Sequence, residues 1–383
     1  MPLKKKSYDY IVCGGGASGL LLLLGMSEDS FFQNSKILLI EKQSQKSNDR
    51  TWCFWETNPG PLEEIVSYRW DTALFKHQQW HKKLLLDPYQ YKMIRGIDFY
   101  NYVHNILQKH PNVDVVYETV SQVKDVDHLT QVVTDKGHYE SPKVFSSINQ
   151  PQRYTNQKKY PVLQQHFLGW IVQTPQEDFD PKELVFMDFD LPQNDRTQFM
   201  YVLPFSKDQA LLEFTLFSKD LLTPQAYEKG ITDYLEKIGI DTYTIVEKET
   251  GCIPMTAYNF DPHNTKSLLH IGTAGGWTKA STGYTFQNTI KKTQELLLFL
   301  KKDKPLDQFK IRGRYHFYDT LFIDVLARYN DQGSDLFKNL FLKNHHQTIF
   351  RFLDEDASLW DDLKIMRSFP LLVFLKALLK RLF

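Results

Sequence analysis

The segment YDYIVCGGGASGLLLLLGM, residues 8–26, limits the fold more than any other part of the chain. An apolar, β-rich stretch runs into a glycine cluster and then into an apolar stretch of helical character, the pattern of a strand, a tight turn and a helix. Gly14, Gly16 and Gly19 keep the G-x-G-x-x-G spacing. The first glycine permits the turn, the second lets backbone approach a pyrophosphate, and the third packs helix on strand. The helix then offers free N–H groups and a positive dipole end to phosphate. A second apolar strand, KILLIEK, ends at Glu41, 22 residues beyond Gly19, where an acid can bond a ribose hydroxyl. Together these features predict a dinucleotide-binding α/β unit at the N-terminus.

Several alternatives fall away. Lys4, Lys5 and Lys6 before GLLLLLGM imitate a secretory leader, but GGGASG interrupts the apolar segment. No apolar stretch reaches the roughly 20 residues of a spanning helix. Lysine plus arginine equal aspartate plus glutamate at 46 each, so nothing global points to nucleic acid. Cys13, Cys53 and Cys252 are too few and too scattered for a disulfide framework or a zinc ribbon, which suits a reducing cytoplasm. H-E-x-x-H and G-x-S-x-G are both absent. The 27 phenylalanines and 20 tyrosines fit a large apolar ligand or an aromatic core equally well.

Downstream, the short runs VDVVYETVSQVKDV, QVVTDKGHYESPKVFSSI, HFLGWIVQT, ELVFMDFD, QFMYVLPFS and ALLEFTLFS are separated by polar turns and predict an inserted antiparallel sheet. LLHIGTAGGWTKASTGYTFQNTIKKTQELLLFL returns to strand, glycine loop and helix, and beyond residue 311 the pattern stays helical. The late IGTAGG loop followed by STGYTF at a helix start resembles the large flavoprotein group, and by that resemblance the expected architecture is α/β: a discontinuous Rossmann-like FAD-binding unit of the flavoprotein monooxygenase type (1–70, 95–160 and 265–310), a sheet domain that receives substrate (71–94 and 161–264), and a helical region (311–383).

One residue in the sheet is out of place. In LPFSKDQALLEFT, residues 203–215, strand alternation puts Leu211, Glu213, Thr215 and Phe217 on one side and Ala210, Leu212, Phe214 and Leu216 on the other. Both sides are apolar, so Glu213 either finds a partner or keeps its proton. Asp188 and Asp190 in MDFD share a strand face and are read either as a second carboxylate near the site or as a strand end facing solvent.

The motifs GGGASG, NDRTWCFW, YKMIRGIDFY, HFLGW, MDFD, FMYVLPFS, LLEFT, GCIPM and GTAGGWTKASTGYTF, in that order, resemble lycopene beta-cyclases of the bacterial and plant type. RFLDEDASLWDDLKIM and FPLLVFLKALLKRLF extend the likeness to the helical tail. The resemblance implies an FAD enzyme that closes the linear end groups of lycopene into beta-ionone rings without net redox change, using reduced FAD with NADPH or NADH as electron source. It places Gly14, Gly16, Gly19 and Glu41 at the adenosine end of the cofactor and Gly272, Gly275 and Gly283 at the flavin end. Arg50 and Arg95 are expected to contact phosphates or ribityl oxygens, or else to form surface ion pairs.

Ring closure begins with protonation of an alkene, a very weak base, so the donor must be an acid held neutral near neutral pH. The first acid of the plant FLEET motif falls on Glu213, while Phe214 takes the second position. Asp188 is the other candidate catalytic acid. Trp52, Phe54, Trp55, Phe167 and Trp170 are candidate linings for a carbocation, or core residues. Thr273 stands where related flavoproteins often carry aspartate, and Ala280 where proline is usual.

The tail SFPLLVFLKALLKRLF, with Phe374, Leu375, Leu378, Leu379, Leu382 and Phe383 interleaved with Lys376, Lys380 and Arg381, reads as a short basic amphipathic helix. Such a helix lies in a membrane headgroup region or docks on its own protein. The expectation is a cytoplasmic chain held peripherally at a membrane, its oligomeric state open. A redox enzyme on the same fold (a hydroxylase or polyprenyl reductase) and a non-catalytic flavin or lipid carrier are the rival readings.

Overall fold

The computed structural model describes residues 5–78, 80–126, 128–310 and 313–382. Five parallel strands form the first sheet, in the order Leu268–His270, Lys143–Ser146, Tyr10–Cys13, Ile37–Glu41, Val113–Tyr117. YIVC and ILLIE are buried along their whole length, as strands covered on both faces must be. Tyr10 and Val12 face a core built with helices Ala17–Glu28, Gly96–Leu107 and Phe286–Leu300. Ile11 and Cys13 face a small second sheet made of Lys6–Ser7, Leu129–Thr134, His138–Ser141 and Val120–Val126.

A seven-stranded sheet stands against this unit. Its order is Thr244–Met255, Leu163–Gln173, Gln209–Ser218, Thr197–Pro204, Glu183–Asp188, Thr72–His77, Trp80–Leu85. All neighbours are antiparallel except Glu183–Asp188 against Thr72–His77. The alternation expected around Glu213 is present: Leu211 and Phe217 enter the large central core, whereas Ala210, Leu212, Phe214 and Leu216 pack beneath helix Pro224–Lys237. A three-stranded sheet of Thr51–Glu56, Gln90–Arg95 and Tyr68–Trp70 bridges the two units.

Helices Arg314–Arg328, Gly333–Lys343, His346–Leu353, Leu359–Ser368 and Leu371–Leu382 close the central core. The last one is docked, with Arg381 bidentate to Asp324 (Nε–Oδ2 and Nη2–Oδ1 both 2.6 Å). Phe383 and the side chain of Leu382 lie outside the described residues. Among the described residues no helix is long and apolar enough to cross a membrane.

Candidate active site

A cleft of about 440 Å³ runs from the first glycine turn to the seven-stranded sheet. At one end are Gly16, Ala17 and Ser18 at the start of the first helix, with Arg50 and Ser147 beside them. Gly14 holds φ +101°, which an L side chain rarely adopts, and a Cβ on Gly19 would lie 2.1 Å from the Gly14 carbonyl. A Cβ on Gly16 would meet nothing within 4 Å, so the helix start faces open space fit for an anion. The late glycine loop closes on this turn. A Cβ on Gly272 (φ +61°) would sit 1.9 Å from Ser18 Oγ, and one on Gly283 (φ +74°) 1.8 Å from Gln165 Oε1. Gly275 is equally intolerant, since its Cβ would meet the His270 carbonyl at 2.1 Å.

Glu41 turns onto the glycine turn itself and is not among the residues lining the cleft. Its Oε2 accepts the Gly15 N–H at 2.5 Å, its Oε1 accepts the Gln43 N–H at 2.9 Å, and Lys46 stands 3.2 Å away. Burial would raise its pKa, but these two N–H groups and the ammonium outweigh it and hold the carboxyl below its ordinary value. Arg50 lines the cleft and is bonded to Asp49 at 2.7 Å. Arg95 lies 3.9 Å from Glu247. Thr273, in place of an aspartate, contacts the Thr278 hydroxyl at 3.1 Å, which in turn reaches Thr285 at 3.0 Å. Ala280 is packed into the central core.

The sheet end of the cleft carries its two acids. In register, Gly169 opposes Glu213 on one neighbouring strand and Glu249 on the other, and Glu213 opposes Tyr201 on the next. The row Glu249, Gly169, Glu213, Tyr201 therefore crosses four strands on one face. Strands two apart in a sheet are separated by ~9.5 Å, too far for ordinary side chains to meet over an occupied position. Gly169 leaves that position empty: a Cβ there would lie 3.0 Å from both Glu249 Cγ and Leu211 Cδ1. The two acid side chains face each other over it into the same cleft.

Each acid has one further anchor, Thr215 Oγ1 donating to Glu213 Oε1 and Thr51 Oγ1 to Glu249 Oε2, both at 2.7 Å. Burial first, and then the charge of Glu249, push the Glu213 carboxyl up to about 8, against the pull of the Thr215 hydroxyl. Burial raises Glu249 as well, with Glu247 adding to it and Thr51 and Arg50 opposing. Two carboxyls this close do not both ionise readily, so the pair holds one proton into the neutral range. Glu213 is mostly buried but stays partly open to the cleft, while Glu249 is 9% exposed.

Aromatic side chains surround the pair. Trp52 and Phe167 line the cleft, as do Tyr91, Tyr201, Tyr284 and Phe286. Gly251 makes room for the Phe167 ring, because a Cβ there would meet Cζ at 2.1 Å. Phe54, Trp55 and Trp170 are instead core residues. Asp188, expected as a second acid beside Glu213, does not line the cleft. It is 2% exposed and accepts the Tyr234 hydroxyl at 2.8 Å and the Asp190 N–H at 2.8 Å, with Lys76 at 3.4 Å. A register shift between Val185 and Asp188 resets the strand alternation, so that Phe186, Met187 and Phe189 enter the central core while Asp188 turns to helix Pro224–Lys237. The sequence reading missed Glu249, whose only local signal is an acid two residues before Gly251 in KETGCIPM.

A family model described as "Lycopene cyclase protein" matches residues 9–379. The chain is 24% identical to the lycopene beta-cyclase of Pantoea ananas over 297 residues, 76% of this chain and 74% of that one. It is 23% identical to the lycopene beta-cyclase of Pseudescherichia vulneris over 259 residues, 65% of this chain and 62% of that one. Among solved structures it is similar to a geranylgeranyl bacteriochlorophyll reductase-like protein from Thermoplasma acidophilum (TM-score 0.62, 13% identity, 95% of this chain and 96% of that one). It is also similar to the flavin-dependent brominase Bmp2 (TM-score 0.61, 13% identity, 91% and 94%). At such identities the likeness concerns the fold alone, an α/β unit with an inserted sheet domain.

Proposed function

The chain belongs to the lycopene cyclase family, and from that premise we propose that it is a lycopene beta-cyclase, converting the linear ends of lycopene to beta-ionone rings with FAD bound in the cleft. The observation that carries this reading is the pair Glu213 and Glu249, which face each other over Gly169 beside aromatic walls in a cleft that begins at a glycine-rich helix start.

Gly14, Gly16 and the N–H groups opening helix Ala17–Glu28 would hold the pyrophosphate, and Gly272, Thr273 and Gly283 the flavin end. When bound, reduced FAD supplies negative charge beside the forming cation. Glu213 donates its proton to the terminal double bond. The resulting tertiary cation is attacked by the neighbouring double bond, which closes the six-membered ring, and a ring C–H then loses a proton. Trp52, Phe167, Tyr201 and Tyr284 offer π faces to the positive charge and exclude water that would capture it. The carboxyl pair gives one proton and one is lost from the ring, so substrate and product are isomers and no electrons are consumed.

Expression in a lycopene-accumulating bacterium tests the proposal. Accumulation of beta-carotene, or of one-ended gamma-carotene, is the expected result. Unchanged lycopene would sink the cyclase reading, and a reduced or hydroxylated pigment formed with stoichiometric NADPH consumption would put a redox one in its place.

A further inference from the structure

An apolar cavity of about 290 Å³ opens between helices Arg314–Arg328, Leu359–Ser368 and Leu371–Leu382. Its walls include Leu321, Phe322, Phe337, Phe369, Phe374 and Leu378. Its floor includes Ser281 and Thr282, and the next two residues of the same loop, Gly283 and Tyr284, line the active cleft. One loop therefore separates an open greasy cavity from the Glu213 site.

Leu371 and Leu375 of its lining are exposed, and the two helices that carry Met366 and Leu378 expose further apolar side chains beside it. Trp360 is 76% exposed, Leu371 78% and Leu372 72%, with Leu363, Leu375 and Leu379 also in solvent. This arrangement does not come from a loose tail, because Arg381 fixes the last helix to Asp324 and to the Lys159 carbonyl. Burying such a patch against an apolar phase is favourable by the area removed from water. Exposed cations stand on the same two helices: Lys364, Arg367, Lys376 and Lys380. The acids beside them are engaged, Asp361 with Arg351 and Lys364, and Asp362, buried, with Arg314. A second copy of the chain would bring the same cations to the contact and be repelled, whereas an anionic lipid surface supplies both the opposite charge and the apolar phase.

We propose that this face seats on an anionic lipid bilayer with the cavity mouth opening into the acyl region, so that an apolar polyene passes from lipid into the protein here. The lipid seat stands on the surface alone, while the polyene rests on the cyclase reading.

The test uses the full chain with its flavin. Vesicles of phosphatidylcholine with and without phosphatidylglycerol are floated with wild type, with the rim variant Leu372→Glu/Leu379→Glu on the exposed side of the last helix, and with Leu85→Glu, a residue 66% exposed on the edge strand of the seven-stranded sheet. Wild type and Leu85→Glu should float with the anionic vesicles. The rim variant should bind at least about tenfold more weakly, given what each cation or apolar contact contributes at a membrane surface, while keeping its flavin content. Leu321→Trp, which fills the cavity, should still float but accept vesicle-borne lycopene more slowly, read as quenching of tryptophan fluorescence without any ring closure. Flotation of the rim variant like wild type, equal loss in Leu85→Glu, or undiminished lycopene transfer to Leu321→Trp would overturn the proposal. So would wild type that ignores vesicles but dimerises through the rim. Normal flotation and transfer with no ring formed in any condition would leave the seat standing and sink the cyclase reading instead.

Discussion

Glu213 and Glu249 lie on strands that never pair with each other, yet both stand in register with Gly169 of the strand between them, and their side chains face one cleft over it. Glu213 is raised by burial first and then by its neighbour, and the site gains a proton donor still loaded at neutral pH.

The pH dependence follows in sign. The donor form of Glu213 is lost as pH rises through about 8, so cyclisation should fall along an alkaline limb near that value. Glu249→Gln removes the anionic neighbour that raises Glu213 and should move the limb to lower pH. The same raised group makes the flavin-free fold's stability from this site complete below the ordinary carboxylate pKa and lost as pH climbs through about 8. Thermal unfolding from pH 5 to 9 should show that loss in wild type and less of it in Glu213→Gln.

Gly169 has a separate test. In Gly169→Ala the new methyl meets Glu249 Cγ and Leu211 Cδ1 at 3.0 Å, and overpacking of this kind costs about 1–3 kcal/mol. The variant should bind FAD but cyclise poorly, and its alkaline limb should shift because the carboxyls are forced apart. An unchanged rate with an unchanged pH profile would mean the empty position is incidental.

Lys279 is wholly buried and lies 3.1 Å from Asp319 and 3.5 Å from Glu355, tying the late glycine loop to the C-terminal helices. Lys279→Met leaves Asp319 without its cation and should destabilise the protein by about 3–5 kcal/mol, the usual cost of breaking a buried pair from one side. Differential scanning calorimetry checks this. Asp319→Asn introduced beside Lys279→Met should recover part of the lost Tm.

Gly283 combines φ +74° with a space already filled by Gln165 Oε1. Gly283→Ala should weaken FAD retention through strain of about 1–3 kcal/mol at a left-handed backbone position. Flavin occupancy after dialysis measures it, with Gly313→Ala, whose Cβ meets nothing within 4 Å, as the control.

How much was legible beforehand depends on how local the cause is. The first glycine turn, the strand to Glu41 and the two faces around Glu213 follow from spacing within a dozen or so residues, and the structure has the same arrangement. Glu249 was invisible because its meaning rests on register between strands far apart in sequence, with Gly169 as the silent middle member. Asp188 was misplaced for a related reason: simple alternation puts it beside Phe186, and one irregularity after Val185 turns it to the opposite face. Of the five aromatic residues expected around the cation, Trp52 and Phe167 line the cleft, while Phe54, Trp55 and Trp170 fill cores, since composition does not tell a lining ring from a packed one.

The most direct test of the central claim is Glu213→Gln in cells that accumulate lycopene, with pigments separated by chromatography and flavin content measured on the purified protein. Glutamine keeps the shape and one hydrogen bond but has no acidic proton, so the account predicts retained FAD and ring formation reduced by about 10²–10⁴-fold, the usual worth of a positioned acid. Beta-carotene at the wild-type level in that variant would contradict it.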